Sequence, residues 1–401
     1  MNYSEIYNLS LEIKDNLIKH RRIIHSFAET GFDTSKTAEY IKIVLEELCV
    51  PKKQVCKNGL CGFVEGKGKG KTFLVRCDID ALPVREMTGL EFASDNGCMH
   101  ACGHDMHAAM LLGCAELLCK YRESFSGRAV LLFQPAEELL MGAKSVIDNG
   151  FDLSEFDGAM TLHVISPSDK KTGTVVLPKG GAEAPSADFF KINVNGNGCH
   201  GSSPWLGIDP ISCACSIVSC LDMIKSREVS AYFPFTLTVA SVNAGTGFNV
   251  IPENAQIKGS LRCYDEKIRE FVKKRIKEIC DGIAQAYRCD VKLEFESGCP
   301  VLNVHKTLTD SFEKVLKNAL GQEKVYRNPV EENYSLKGSE DFAYFTGKIP
   351  SFTAAIPAGF REDKTYSYQM HSPNVMFDED ALPVGCSVFT CCALEFLKSE
   401  K

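Results

Sequence analysis

Ten consecutive residues, Cys98-Met99-His100-Ala101-Cys102-Gly103-His104-Asp105-Met106-His107, hold two cysteines, three histidines and an aspartate. Thiolate, imidazole and carboxylate are the groups that bind a borderline-soft divalent ion. The chain has nine histidines in 401 residues, so this decapeptide concentrates ligand chemistry. A carboxylate pair follows in Gln134-Pro135-Ala136-Glu137-Glu138, and His163 and His371 stand alone further on. Taken singly, a histidine inside Leu162-His163-Val164 reads as a core residue and Glu-Glu as a solvated pair. Taken together, Cys102, His104, Glu137 or Glu138, His163 and His371 exceed the four donors of one structural zinc. They suit two ions about 3.5–4 Å apart sharing a water. One glutamate then serves as a ligand and its neighbour as a general base for that water, the nucleophile that amide hydrolysis requires. Asp80 is placed to orient a ligand histidine or the base. His20, His25 and His305 carry no partner pattern and read as surface or packing residues, while His100 and His107 stay unassigned.

These side chains need a scaffold. Residues 71–77, 129–134 and 159–164 are short, continuously apolar runs, with helical patterns between them at 106–122 and 141–149. Apolar strands alternating with helices predict an α/β domain with a mostly parallel sheet covered on both faces. Ligands gather beyond the carboxyl ends of such strands. Asp78 and Asp80, Glu137 and Glu138, and His163 each fall near such an end. From about residue 187 the pattern becomes strand, helix, two strands, helix, strand, the order of a ferredoxin-like α+β unit. The first pattern returns at about 300. The expected organisation is a discontinuous metal-binding domain, 1–186 with 300–401, interrupted by an inserted domain, 187–299.

Composition narrows the partners. Hydrophobic content of 44%, charged content of 24% and a net charge of -7 fit a globular chain, and no basic stripe points to nucleic acid. The first 22 residues read as one amphipathic helix without a signal-peptide core, and no run reaches the roughly 20 apolar residues of a membrane span. The expectation is a cytoplasmic protein whose partner is a small molecule, with no membrane involved. Nineteen cysteines in a long chain read as reduced thiols. Cys213, Cys215, Cys220, Cys391 and Cys392 are expected to pack in cores, and Cys102 is set apart by His104 beside it.

The chain resembles the M20 metallopeptidases, and within them the amidohydrolase branch of aminoacylase-, hippurate hydrolase- and auxin-conjugate hydrolase-like enzymes. The resemblance runs through RCDIDALPVRE (76–86), MHACGHDMHAAMLLG (99–113), FQPAEE (133–138), NVIPENAQIKGSLR (249–262), GSEDF (338–342) and MHSP (370–373). It implies a zinc-peptidase-like catalytic domain, two divalent ions (Zn, Mn, Co or Ni) on Cys102, His104, Glu138, His163 and His371, and Glu137 as base. It also implies a homodimer formed through the inserted lid domain. His200, in GNGCHGSSPWLGIDP (196–210), would then reach the partner's site to stabilise an oxyanion. Asn249 and Arg262 match positions associated with a substrate carboxylate, for which an amide and a guanidinium fork are suited; Arg262 could instead form a buried structural ion pair. Trp205 stands where many relatives have histidine, Cys199 replaces a usual glycine, and ISPSDKKTG (165–173) lacks the usual prolines. The expected activity is hydrolysis of N-acyl amino acids or related small amides. The alternatives are a dipeptidase and a catalytically silent metal- or metabolite-binding protein.

Overall fold

A computed structural model describes residues 2–327 and 338–398. The chain divides into two compact units. The first runs to Gly181, resumes at Asn303 and closes the chain from Tyr344; the second is Ala182–Leu302 with residues 338–343. The second unit therefore starts a few residues earlier than composition suggests, and it takes in the GSEDF segment, which sequence order had assigned to the first.

In the first unit an eight-stranded sheet has the order Lys52–Cys56, Gly59–Glu65, Arg128–Gln134, Thr72–Asp78, Gly158–Ile165, Ser351–Pro357, Val175–Leu177, Val325–Arg327. The four strands from Arg128–Gln134 to Ser351–Pro357 are parallel. Successive residues of a strand point to opposite faces, and nearly every position of Arg128–Gln134 and Gly158–Ile165 is buried. Both faces of the sheet are thus covered, which is why these strands are continuously apolar. Lys52–Cys56 and Gly59–Glu65 join antiparallel at one edge.

Helix His104–Lys120 is buried over most of its length, and its near-uniform Ala, Leu and Met content is that of a core helix rather than an amphipathic one. Helix Ala381–Lys398 is of the same kind. It is long and apolar enough to cross a membrane, which corrects the expectation that no segment is, but 89% of its span is buried inside the unit. The N-terminal stretch forms two helices, Tyr3–Glu12 and Lys14–Phe27, rather than one.

His25 departs from expectation: it is a buried ionic residue. Its Nδ1 lies 2.8 Å from Asp105 Oδ2 and its Nε2 3.1 Å from Glu86 Oε2, while Arg21 Nε donates to Asp105 Oδ2 at 3.0 Å. Burial alone would raise the Asp105 pKa, but Arg21 and His25 outweigh it and hold the carboxylate well below its usual range.

The second unit holds a four-stranded antiparallel sheet, Phe235–Ala244, Asn254–Cys263, Ala187–Asn195, Asp290–Cys299. With helices Pro210–Met223 and Glu266–Tyr287 this is the β-α-β-β-α-β order expected. The inward positions of the longer helix, Arg269, Val272, Ile276 and Cys280, recur at three- and four-residue spacing, and Asp265 caps its first turn by accepting from the Lys267 and Ile268 N–H groups. Cys213, Cys391 and Cys392 are buried as expected, Cys220 is half-buried, and Cys215 is exposed, against expectation.

Removing one partner from a buried ion-paired group costs about 3–5 kcal/mol, because the remaining charges are stranded. Asp105→Asn should lower the thermal midpoint of metal-free protein by about 5 °C or more. Asp380→Asn changes an exposed residue, the partner of half-buried Lys14, and should shift it by about 1 °C or less. Equal midpoints for the two variants would remove the Arg21–Asp105–His25 cluster from the stability of the fold.

Candidate metal centre

The carboxyl ends of the parallel strands and the loops after them converge in the first unit. Cys102 Sγ lies 3.5 Å from His163 Nε2 and 3.3 Å from His371 Nε2. Glu138 Oε1 is 3.6 Å from His371 Nε2 and 4.0 Å from His104 Nε2. Three overlapping sets place their ligand atoms mutually within 4.8 Å: Cys102, His104 and His163; Cys102, Glu138 and His371; His104, Glu137 and Glu138. All five expected donors and the second glutamate are therefore together.

The histidines are aimed. His104 Nδ1 donates to the Asp80 carbonyl at 2.9 Å and His163 Nδ1 to the Val164 carbonyl at 2.6 Å. Each bond fixes the tautomer that leaves Nε2 as a lone pair, the arrangement metal-binding histidines use. Asp80 acts twice more: its Oδ1 accepts the Glu137 N–H at 3.1 Å and its Oδ2 the Glu138 N–H at 3.2 Å.

Backbone conformation adds constraint. Ala136 (φ 60°) and Leu140 (φ 54°) bracket the glutamate pair, and His371 itself has φ 68°. Left-handed backbone costs a non-glycine residue roughly 1–2 kcal/mol, so the surrounding structure must hold these residues in place. Gly103 (φ 87°) precedes His104, and a Cβ there would lie 2.4 Å from Val164 Cγ2. No other residue lets the helix start this close to the strand that carries His163.

Asp78 and His107, which also lie beside His104, form a closed set. His107 Nδ1 donates to Asp78 Oδ1 at 2.5 Å, its Nε2 accepts the Val164 N–H at 2.9 Å, and Arg76 Nη1 donates to Asp78 Oδ2 at 2.9 Å. Both ring nitrogens of His107 are used, which assigns it to support rather than ligation. The open positions lie elsewhere: among the described residues, the buried atoms His104 Nε2 and Glu138 Oε1 have no hydrogen-bond partner. A buried polar atom left unsatisfied costs about 1–3 kcal/mol; cations held at these atoms remove that cost. The donors present fit a pair of divalent ions.

Three expected residues lie in the second unit. His200 and Asn249 are brought together there: Cys199–His200 pairs with Val250–Ile251, and the Gly201 N–H donates to the Asn249 carbonyl at 2.7 Å. Arg262 donates to Ser339 Oγ at 2.5 Å and lies 5.5 Å over the Phe189 ring. It makes no ion pair among the described residues, so the structural ion pair held open for it is not found there.

The protons on this centre oppose metal binding. Burial raises the Cys102 thiol and the Glu138 carboxyl. Burial pulls the His104 pKa down, but Asp78 and then Cys102 overcome it and hold the imidazole well above its usual value. His163, pushed down to about 3 by burial and by His107, is already neutral. A thiol and an imidazolium must each lose a proton to become a ligand, so affinity climbs with pH. Between pH 6 and 8, zinc affinity measured by chelator competition should rise at least about tenfold per pH unit. A flat profile would exclude Cys102 and His104 from the site.

Comparison with known proteins gives a consistent picture. The sequence profile of peptidase family M20/M25/M40 matches residues 74–395. The chain is 35% identical over 392 residues to thermostable carboxypeptidase 1 of Saccharolobus solfataricus, covering 96% of each. It is 35% identical over 377 residues to an N-acetyl-L-cysteine deacetylase of Bacillus subtilis, covering 94% of this chain and 86% of that one. A solved Bacillus subtilis structure, described as a dinuclear metal-binding peptidase of the M20 family, superposes with a TM-score of 0.78 at 30% identity, over 96% of this chain and 99% of that one.

Proposed function

The chain belongs to peptidase family M20/M25/M40 and is a metal-dependent amide hydrolase, and from that premise we propose that it cleaves the bond between an acyl group and the nitrogen of an amino acid with a free carboxylate. The observation that carries this reading is the division of labour at Glu137-Glu138. Glu138 Oε1 sits among the imidazoles, while Glu137, 7% exposed, is held beside it through the same Asp80 carboxylate. The pair thereby offers one carboxylate as ligand and the neighbouring one as base.

Cys102, His104, Glu138, His163 and His371 would hold the two ions. Such ions, when bound, polarise the amide carbonyl and acidify a water. Glu137 accepts that water's proton and returns it to the leaving nitrogen. Asp80 keeps Glu137, Glu138 and His104 in register. Asn249 and Arg262 take the substrate carboxylate; the guanidinium charge that no described carboxylate matches suits that role. His200, exposed on its two-residue strand, donates to the developing oxyanion in the site of a second subunit, the inserted domain serving as lid and dimer contact. The two relatives' names share one substrate feature, an amide nitrogen beside a free carboxylate, which supports acyl-amino acids and C-terminal peptide bonds over a dipeptidase that must grip an amine.

Glu137→Gln should keep both metal equivalents by elemental analysis while kcat falls ~10²–10⁴-fold. Near-normal turnover with intact metals would take the base role from Glu137. Subunit mixing tests His200. His200→Ala should cut kcat by ~10²–10³-fold. Exchange of Glu137→Gln with His200→Ala subunits should restore activity, up to about half of wild type per heterodimer, because one site is then complete. No recovery after verified exchange would place His200 in its own subunit's site or outside catalysis.

A further inference from the structure

A neutral imidazole that donates to an oxyanion must carry its proton on the nitrogen facing that oxygen. The other nitrogen is then a lone pair, and the bonds made to it decide where the proton sits. His200 Nδ1 has two partners, both from Ser202: the backbone N–H at 3.2 Å and the side-chain hydroxyl at 2.8 Å. A hydroxyl can give or take a hydrogen bond, but a backbone N–H only gives. The amide therefore settles the direction. Nδ1 accepts, and the proton of the neutral ring belongs to Nε2, which bonds to none of the described residues.

The turn brings this about. The Ser203 N–H donates to the His200 carbonyl at 2.8 Å, which closes a four-residue turn and folds Ser202, at its third position, back to the ring of the first. The ring takes the part of an Asn or Asp side chain that accepts the N–H two residues on. Main chain pins the turn on both sides. His200 pairs with Val250, the Gly201 N–H reaches the Asn249 carbonyl, and the Leu206 N–H donates to the Ser203 carbonyl at 3.1 Å. A Cβ at Gly201 would lie 2.9 Å from the Asn249 carbonyl carbon, so a side chain there would force the two segments apart. His200 is exposed, and an exposed ring without such bonds changes rotamer within nanoseconds.

We infer that Ser202 is a positioning residue: its amide and hydroxyl hold the His200 ring in one orientation and one tautomer, with Nε2–H as the donor. The inference rests on the proposed function, in which His200 meets the developing oxyanion.

The test uses zinc-loaded enzyme carrying isotope-labelled histidine, above about pH 8, where imidazole is neutral. The His200 signals are identified by their loss in His200→Ala. In wild type, ring-nitrogen NMR should show Nδ1 unprotonated and Nε2 protonated. Ser202→Ala keeps the amide and loses the hydroxyl. Its Nδ1 signal should move toward the protonated value, and kcat on an N-acyl amino acid should fall about three- to tenfold, the scale of one hydrogen bond, with KM changed by about twofold or less. Ser202→Thr restores the hydroxyl and should recover both. Ser203→Ala, in the same turn, should change neither. A protonated Nδ1 in wild type, an unchanged kcat in Ser202→Ala, no recovery in Ser202→Thr or an equal loss in Ser203→Ala overturns the inference. The proposed function survives each of these results if His200→Ala still lowers kcat. Full turnover in His200→Ala overturns the oxyanion role and this inference with it.

Discussion

Asp80 is the residue on which the centre's geometry turns. It follows the strand Thr72–Asp78, and its carboxylate accepts the N–H groups of Glu137 and Glu138, which follow the neighbouring strand Arg128–Gln134. Its own carbonyl receives His104 Nδ1. One residue thus fixes the relative position of two strand ends and a helix start. A carboxylate satisfied by backbone donors in a buried place has little freedom to move, so the spacing of Glu137 and Glu138 from His104 is set by main chain rather than by side-chain packing. Neighbouring Asp78 does similar work one layer deeper, held by Arg76 and His107.

Much of this was legible in the sequence because it depends on local pattern. The four parallel strands are apolar runs followed by polar motifs, and a chain covered on both faces has no other way to be written. The second unit's sheet alternates because one face only is buried, and its six elements come in order. The donors were legible because thiol, imidazole and carboxylate seldom crowd together by chance. The residues that were missed depend on distant partners. His25 reads as a packing residue until Asp105 and Glu86, 80 and 61 positions away, come beside it. His107 could not be assigned until Asp78 and Val164, 29 and 57 positions away, claimed its two nitrogens. The strand Gly59–Glu65, second from the edge, is hidden for a different reason: Gly59 and Gly62 weaken its strand signal, yet a Cβ at Gly59 would lie 2.4 Å from Cys56 Sγ and one at Gly62 3.1 Å from Val50.

The backbone at the centre is as specific as its side chains. Three of the seven non-glycine residues in left-handed conformation among the described residues are Ala136, Leu140 and His371. Each lies within two residues of an expected ligand or is one, so the strain in this fold is concentrated where chemistry is expected. The His371 N–H donates to the Ala101 carbonyl at 2.9 Å, which couples its unusual turn to the loop bearing Cys102.

The orienting bonds from His104 to Asp80 and from His163 to Val164 are made entirely within the protein. The imidazoles therefore face inward before any ion arrives, and loading requires proton loss but little rearrangement. The proposed cage of one thiolate, three imidazoles and a carboxylate, already shaped in this way, discriminates weakly among first-row ions of similar size. Its choice follows the intrinsic affinity series and the free concentration of each ion. The occupant is then a property of the cell's metal supply as much as of the polypeptide, and enzyme prepared from media of different metal content would carry different ions on an unchanged fold.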